Sequence, residues 1–122
     1  MDASYKIWSD PSKNRLYIVL KGSIPDDMAT AAADKTIREA KKLQPGFIVI
    51  NDISEVEPAG PNGAKEIKRA QAFLGYRGVK RVIRIVHPSD DAVNKQFENN
   101  PKYYPAANIA LSIEEADKML EL

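Results

Sequence analysis

The sequence predicts one α/β domain across residues 1–122, built on a mixed, mostly parallel five-stranded sheet with four helices in the order β-β-α-β-α-β-α-β-α. Three observations carry that prediction. Short apolar runs alternate with Ala-, Lys- and Glu-rich segments of helical period. The first two strand-like runs are separated only by the turn cluster Asp10-Pro11-Ser12-Lys13-Asn14, which makes the opening pair a hairpin. Phe47-Ile48-Val49-Ile50 is apolar without alternation, the pattern of a central strand buried on both faces.

Tyr5 to Ser9 alternates weakly and reads as the first strand. Arg15 to Lys21 alternates more cleanly, with Leu16, Ile18 and Leu20 on one face and Tyr17 and Val19 on the other. Gly22-Ser23-Ile24-Pro25 ends the hairpin. Asp26 to Leu43 is then a long helix, begun by Pro25 and by the acids Asp26 and Asp27, which suit the positive end of its dipole. Its narrow apolar stripe is Ala29, Ala33, Ile37, Ala40 and Leu43 or Gln44, small enough for close packing on a sheet. Pro45-Gly46 stops it before the buried strand. Asn51 to Pro61 reads as a connection rich in turn formers.

A second helix is expected from Pro61–Gly63 to about Leu74, facing inward with Ala64, Ile67, Ala70 or Gln71, and Leu74, and ended by Gly75-Tyr76-Arg77-Gly78. Val79 to Val86 is the next strand. His87-Pro88-Ser89-Asp90 leads into a short helix to about Asn99 that buries Val93 and Phe97, and residues 100–107 form a loop. Asn108 to Leu111 is a short last strand. Ser112-Ile113-Glu114-Glu115 is a capping box, with Glu115 reaching back, and the final helix buries Ile113, Ala116 and Leu120, with Met119 a further candidate.

Composition excludes several classes of function. The chain is 43% hydrophobic and 29% charged, ordinary for a globular domain. It holds no cysteine and one histidine, His87, so disulfides, thiolate sites and a zinc centre are not expected, nor is any cofactor. No apolar run is long enough to span a bilayer, and Met1 to Asp10 lacks the pattern of a secretory signal, so a soluble cytoplasmic protein is expected. The net charge of +1 argues against nucleic acid as a partner. The charge is nonetheless uneven: Lys65, Lys68, Arg69, Arg77, Lys80, Arg81 and Arg84 face the single acid Glu66 between Gly60 and His87. That asymmetry suits an acidic protein or a small anion.

The element order resembles the STAS domain, the sulfate-transporter and anti-sigma-factor-antagonist fold, also called SpoIIAA-like. Local sequence agrees in three places. Leu20-Lys21-Gly22-Ser23-Ile24 resembles the strand-ending glycine before the first helix. Ile50-Asn51-Asp52-Ile53-Ser54-Glu55-Val56 is similar to the buried strand that ends Asp-apolar-Ser. Leu111-Ser112-Ile113-Glu114-Glu115-Ala116 resembles the last strand and the start of its helix. The resemblance implies a partner-binding face and, in antagonist-type members, a phosphoacceptor serine in an Asp-Ser-Ser-Gly loop. Here the matching stretch is Gly60-Pro61-Asn62-Gly63, and Asn62 has no hydroxyl to phosphorylate.

The expected function is therefore that of a non-catalytic, stand-alone binding or regulatory module. Its expected site is Asp52, Ser54, Gly60, Asn62, Gly63, Lys65, Lys68 and Arg69: a segment leaving a parallel strand, a helix N-terminus that favours anions, and a basic helix side. Local turn and capping roles also account for Gly60, Pro61 and Asn62. Two alternatives remain open. One is a carrier of an apolar or lipid-like ligand in a cavity between helices and sheet. The other is a small hydrolase using Ser54, His87 and Asp52, although no Gly-x-Ser-x-Gly elbow is present. Tyr76 with Arg77 is a candidate contact pair, and Trp8 reads as core or as an edge-strand contact.

Overall fold

The structure is a computed structural model that describes residues 2–87, 89–98 and 102–121. Its elements are β1 (Ser4–Asp10), β2 (Arg15–Gly22), α1 (Asp26–Ala40), β3 (Ile48–Val56), α2 (Pro61–Arg77), β4 (Arg81–Ile85), α3 (Asp91–Phe97), β5 (Asn108–Ala110) and α4 (Ile113–Leu120). The order is the expected one. The strands lie in the sheet as β1-β2-β3-β4-β5, with β1 antiparallel to β2 and the remaining pairs parallel. Pro88, Asn99 and Asn100, expected in the loop before α3 and at its end, lie outside the described residues.

Strand alternation sorts the core onto two faces. Leu16, Ile18, Val49 and Val82 meet Ala32 and Ala40 of α1 and Leu74 of α2. Ile53, Val56 and Val86 meet Val93 and Phe97 at the α3 end of that face. Tyr17, Ile50, Ile83 and Ile85 point the other way, against Ala116 of α4. Crossovers of one hand between neighbouring parallel strands place α1, α2 and α3 together and leave the opposite face to α4. Val49 and Ile50 are buried and Ile48 is half-buried in the middle strand of the sheet, as the run without alternation predicts, and Phe47 is buried just before it. Trp8 stacks on Tyr17 at 4.8 Å and shelters the α4 face.

Three elements, β3, α1 and α2, end three or more residues from the expected boundary, each for a local reason, and β4 is shorter than expected at both ends. β3 continues to Val56, so Asn51 to Val56 is strand and not connection. Its ladder with β2 runs through a bulge between Val19 and Lys21 and ends at Gly22, whose φ is 78°. α1 ends at Ala40 because the amides of Lys42 and Leu43 turn back to Glu39 and Ala40, tightening the last turn. Its buried side is Ala32, Ala33, Thr36, Glu39 and Ala40, with Ala29 and Ile37 only half-buried, so the stripe is rotated from the expected one. α2 runs past Leu74 to Arg77. Gly78, at φ 101°, then closes it by a Schellman motif, with Val79 N–H donating to Leu74 O at 3.1 Å and Gly78 N–H to Gly75 O at 3.2 Å. The capping box of α4 forms with one change: Ser112 Oγ accepts from Glu115 N–H, and the Glu115 carboxylate accepts from Leu111 N–H.

Candidate functional site

α1 and α2 face each other across small residues: Ala29, Ala32 and Ala33 on one, Gly63 and Ala70 on the other. Small side chains at that seam leave a mainly apolar pocket of about 90 Å³ over Ile18 and Asn51 of the sheet, closed at its far end by Phe97 and Tyr104. At the start of α2 it is lined by Glu57, Ala59 and Gly63. Gly63 is required there, because a Cβ would come within 2.9 Å of the Ala59 Cβ. Gln96 fixes that corner with a two-way amide pair, accepting from Ala59 N–H at 2.7 Å and donating to Ala59 O at 2.8 Å.

Beneath this pocket the core is interrupted by a polar layer. Asn51 and Arg84 are register partners on β3 and β4 and share the α1/α2 face with Val49 and Val82 before them and Val86 after. Both are buried, at 6% and 4% exposure. Asn51 Oδ1 has no hydrogen-bond partner. Arg84 donates from Nη1 to Asn94 Oδ1 at 3.0 Å and from Nη2 to Phe97 O at 2.7 Å, while its Nε has no acceptor. Burial lowers the Arg84 pKa from its ordinary value, only partly opposed by the fields of Tyr104 and Glu98. Burial likewise pushes the Tyr104 hydroxyl up.

The expected site residues divide. Gly63 lines the pocket. Gly60 is the N-cap of α2, its carbonyl accepting from Ala64 N–H at 2.9 Å, and exposed Asn62 donates to Asp26 Oδ2 at 3.1 Å, joining the starts of α1 and α2. Lys65 is exposed. Lys68 donates to Glu98 O at 2.5 Å. Arg69 reaches Glu66 at 2.6 Å and Asp34 at 2.7 Å, and those hydrogen bonds, Glu66 first, raise its pKa. Of these three cations only Arg69 is compensated by acids among the described residues, one on α1 and one on its own helix. Arg69→Glu should cost about 1 kcal/mol and Lys65→Glu under about 0.5 kcal/mol, since exposed pairs contribute little and unpaired surface charges less. Urea melts of the two variants check this; equal losses would mean that the Arg69 pairs contribute nothing.

Asp52 and Ser54 lie on β3 on the face away from the pocket, not in a loop. Ser54 Oγ donates to Asp52 Oδ1 at 2.7 Å, and Ser54 N–H donates to the same oxygen. His87 Nδ1 lies 2.8 Å from Ser89 Oγ. Asp52 thus orients Ser54 itself and His87 engages Ser89, so the serine–histidine bond of a hydrolytic triad is not made. Arg77, of the expected contact pair, donates to Lys41 O and Leu43 O beyond the end of α1, while Tyr76 is exposed. Among the described residues no cluster of acids and histidine could hold a metal ion, and no helix is long and apolar enough to cross a membrane.

The residues that sequence reasoning missed are Asn51 and Arg84. The signal was present: each is a polar side chain at a core-facing step of a strand, Val49-x-Asn51-x-Ile53 and Val82-x-Arg84-x-Val86. Counting Arg84 with the surface cations concealed it.

No protein-family model matches the chain, and no curated protein matches it. Among solved structures it is similar to an uncharacterized protein of the DUF3478 family from Shewanella loihica PV-4, which has a SpoIIAA-like fold. The TM-score is 0.69 at 14% identity, over 97% of this chain and 95% of that one. The chain therefore has the SpoIIAA-like fold of the STAS domain.

Proposed function

We propose that this domain is a binding module rather than a catalyst, and that its ligand is a small, mainly apolar molecule held between α1 and α2. The observation that carries the reading is Asn51 Oδ1, a buried acceptor with no partner at the floor of an apolar pocket. An unsatisfied buried acceptor costs about 1–3 kcal/mol, and a ligand N–H or O–H would offset that cost while its apolar body fills the seam. Size narrows the class. A drug-sized or lipid ligand needs roughly 300–1,000 Å³. The pocket, at about 90 Å³, suits a molecule of about one ring. The carrier reading thus narrows from lipids to small apolar molecules with one donor.

A protein partner at the start of α2 is a second reading. Gly60, Asn62 and Lys65 are exposed and adjoin in sequence Ala59, Gly63 and Glu66 of the pocket wall, so a filled pocket would be sensed there. Asn62 at the phosphoacceptor position makes such a contact independent of phosphorylation at that residue.

The test is a titration of the full chain with phenol and with toluene, followed by amide chemical shifts at Ala33, Gly63 and Ala70. Phenol should bind saturably and about threefold to tenfold more tightly than toluene, which has no donor. Ala33→Leu, which fills the seam, should abolish both. Equal binding of phenol by wild type and Ala33→Leu would place the ligand elsewhere and sink the proposal.

A further inference from the structure

Of the two buried arginine Nε atoms without an acceptor among the described residues, on Arg77 and Arg84, that of Arg84 belongs to a residue lining a different opening. Arg84 lines a pocket of about 340 Å³ with Asn94, Glu98, Pro105, Ala107 and Ile109, on the β5 side of the sheet. We propose that Arg84 is the anchor of a binding site for a small monocarboxylate with a short apolar tail.

Charge comes first. A guanidinium carries five N–H donors and cannot shed its proton in a protein. Here two donors meet neutral oxygens, of Asn94 and Phe97, and Nε meets none. No ion pair reaches Arg84 among the described residues. Glu98 is felt only through its field, and it is exposed. A buried cation without a counter-ion is costly, and an apolar side chain of similar volume would be cheaper. A guanidinium that keeps an uncommitted N–H beside a pocket suits a planar anion, which it binds by paired hydrogen bonds.

The walls select among anions. One guanidinium and one side-chain amide supply a single positive charge, matched to a carboxylate and not to a phosphate dianion. Glu98 at the rim penalises the second negative charge further. Pro105, Ala107 and Ile109 give the remainder of the pocket an apolar lining, which suits a short hydrocarbon tail. This site is separate from the pocket over Asn51, and the butyrate and phenol titrations test the two assignments separately.

The experiment uses the full chain at constant ionic strength, titrated with sodium butyrate, sodium phosphate and, as control, sodium chloride, by calorimetry and by the amide shifts of Arg84, Asn94 and Ala107. Butyrate should bind saturably, and phosphate at least about tenfold more weakly. Arg84→Lys keeps the charge but loses the planar fork, and should weaken butyrate by at least about tenfold. Glu98→Gln should tighten it severalfold, and Ala33→Leu should leave it unchanged. Absence of saturable butyrate binding, equal binding by phosphate, or indifference to Arg84→Lys would each overturn the site. The Glu98→Gln arm decides the matter should the Arg84 variant not fold.

Discussion

Replacing Glu39 with Gln is expected to destabilise the domain by about 2 kcal/mol at neutral pH and to flatten the acid limb of its stability curve. Glu39 sits on the buried side of α1 at 6% exposure. Its Oε1 accepts from Ser9 N–H at 3.1 Å and Ser9 Oγ at 3.0 Å, and its Oε2 meets Lys42 Nζ at 2.7 Å and Lys35 Nζ at 3.5 Å. The Lys42 bond chiefly, then Ser9 and the field of Lys35, lower its pKa from 4.5 to about 2 against the opposing cost of burial. A carboxyl whose folded pKa lies below its unfolded one contributes stability that is complete above the unfolded value. That contribution is lost as pH falls from about 4.5 through about 2. The full shift converts to about 3 kcal/mol, and solvent around the lysines reduces it to about 2. Because Ser9 lies on β1, the carboxylate also ties the edge strand to the helix. Urea melts at pH 7, 5, 3 and 2 should show wild type losing its advantage over the variant across the last three values. Parallel curves for the two proteins would mean that Glu39 is not the source of acid sensitivity.

The same residue illustrates how far the fold is legible from sequence. Period-2 and helical patterns identify every element, because burial of an alternating face leaves its mark directly on the residue order. They do not identify which polar residues are buried. Glu39 and Thr36 turn inward on α1 because Ser9 and the Ala32 carbonyl await them, and Ser9 lies thirty residues from Glu39 in sequence. Asp52 and Ser54 read as turn formers because each type favours turns. In place they occupy the outward steps of β3, bonded to each other, so the strand passes through them. The expected site is partly recovered: Gly63 is in the pocket wall, while Arg69 is bound up in ion pairs that only the packing of α1 on α2 creates. Long-range pairing of charges leaves no local signature, and a composition count treats a buried Arg84 and an exposed Lys65 alike.

Asn51→Leu is expected to stabilise the free protein by about 1–2 kcal/mol while removing the acceptor assigned to the ligand in the α1/α2 pocket. Leu has the branched shape of Asn and is larger, and the pocket that Asn51 lines gives room for the added volume. It would continue the apolar face between Val49 and Ile53, and it deletes a buried acceptor that no group among the described residues satisfies. Arg84→Met should also stabilise, by about 1–4 kcal/mol, as replacement of buried charge by an apolar side chain of similar volume often does. Its removal strands little, for Phe97 O keeps its bond from Gln71 Nε2 at 2.7 Å and Asn94 is half-buried within reach of water. The two residues are neighbours across the β3–β4 ladder, so the gains need not add. If the dipole of Asn51 relieves the Arg84 charge, Asn51→Leu alone gains less, and the double variant exceeds the sum of the singles by about 0.5–1 kcal/mol or more. Denaturant melts of wild type, both singles and the double variant measure that coupling. A loss of stability in Asn51→Leu, with Arg84→Met neutral or destabilising, would mean that the polar layer supports the fold, and the argument that it is held open for ligands would fail. Gains in both variants, with phenol binding lost in the first and butyrate binding lost in the second, are the outcome expected of a core that gives up stability at two places to keep two sites.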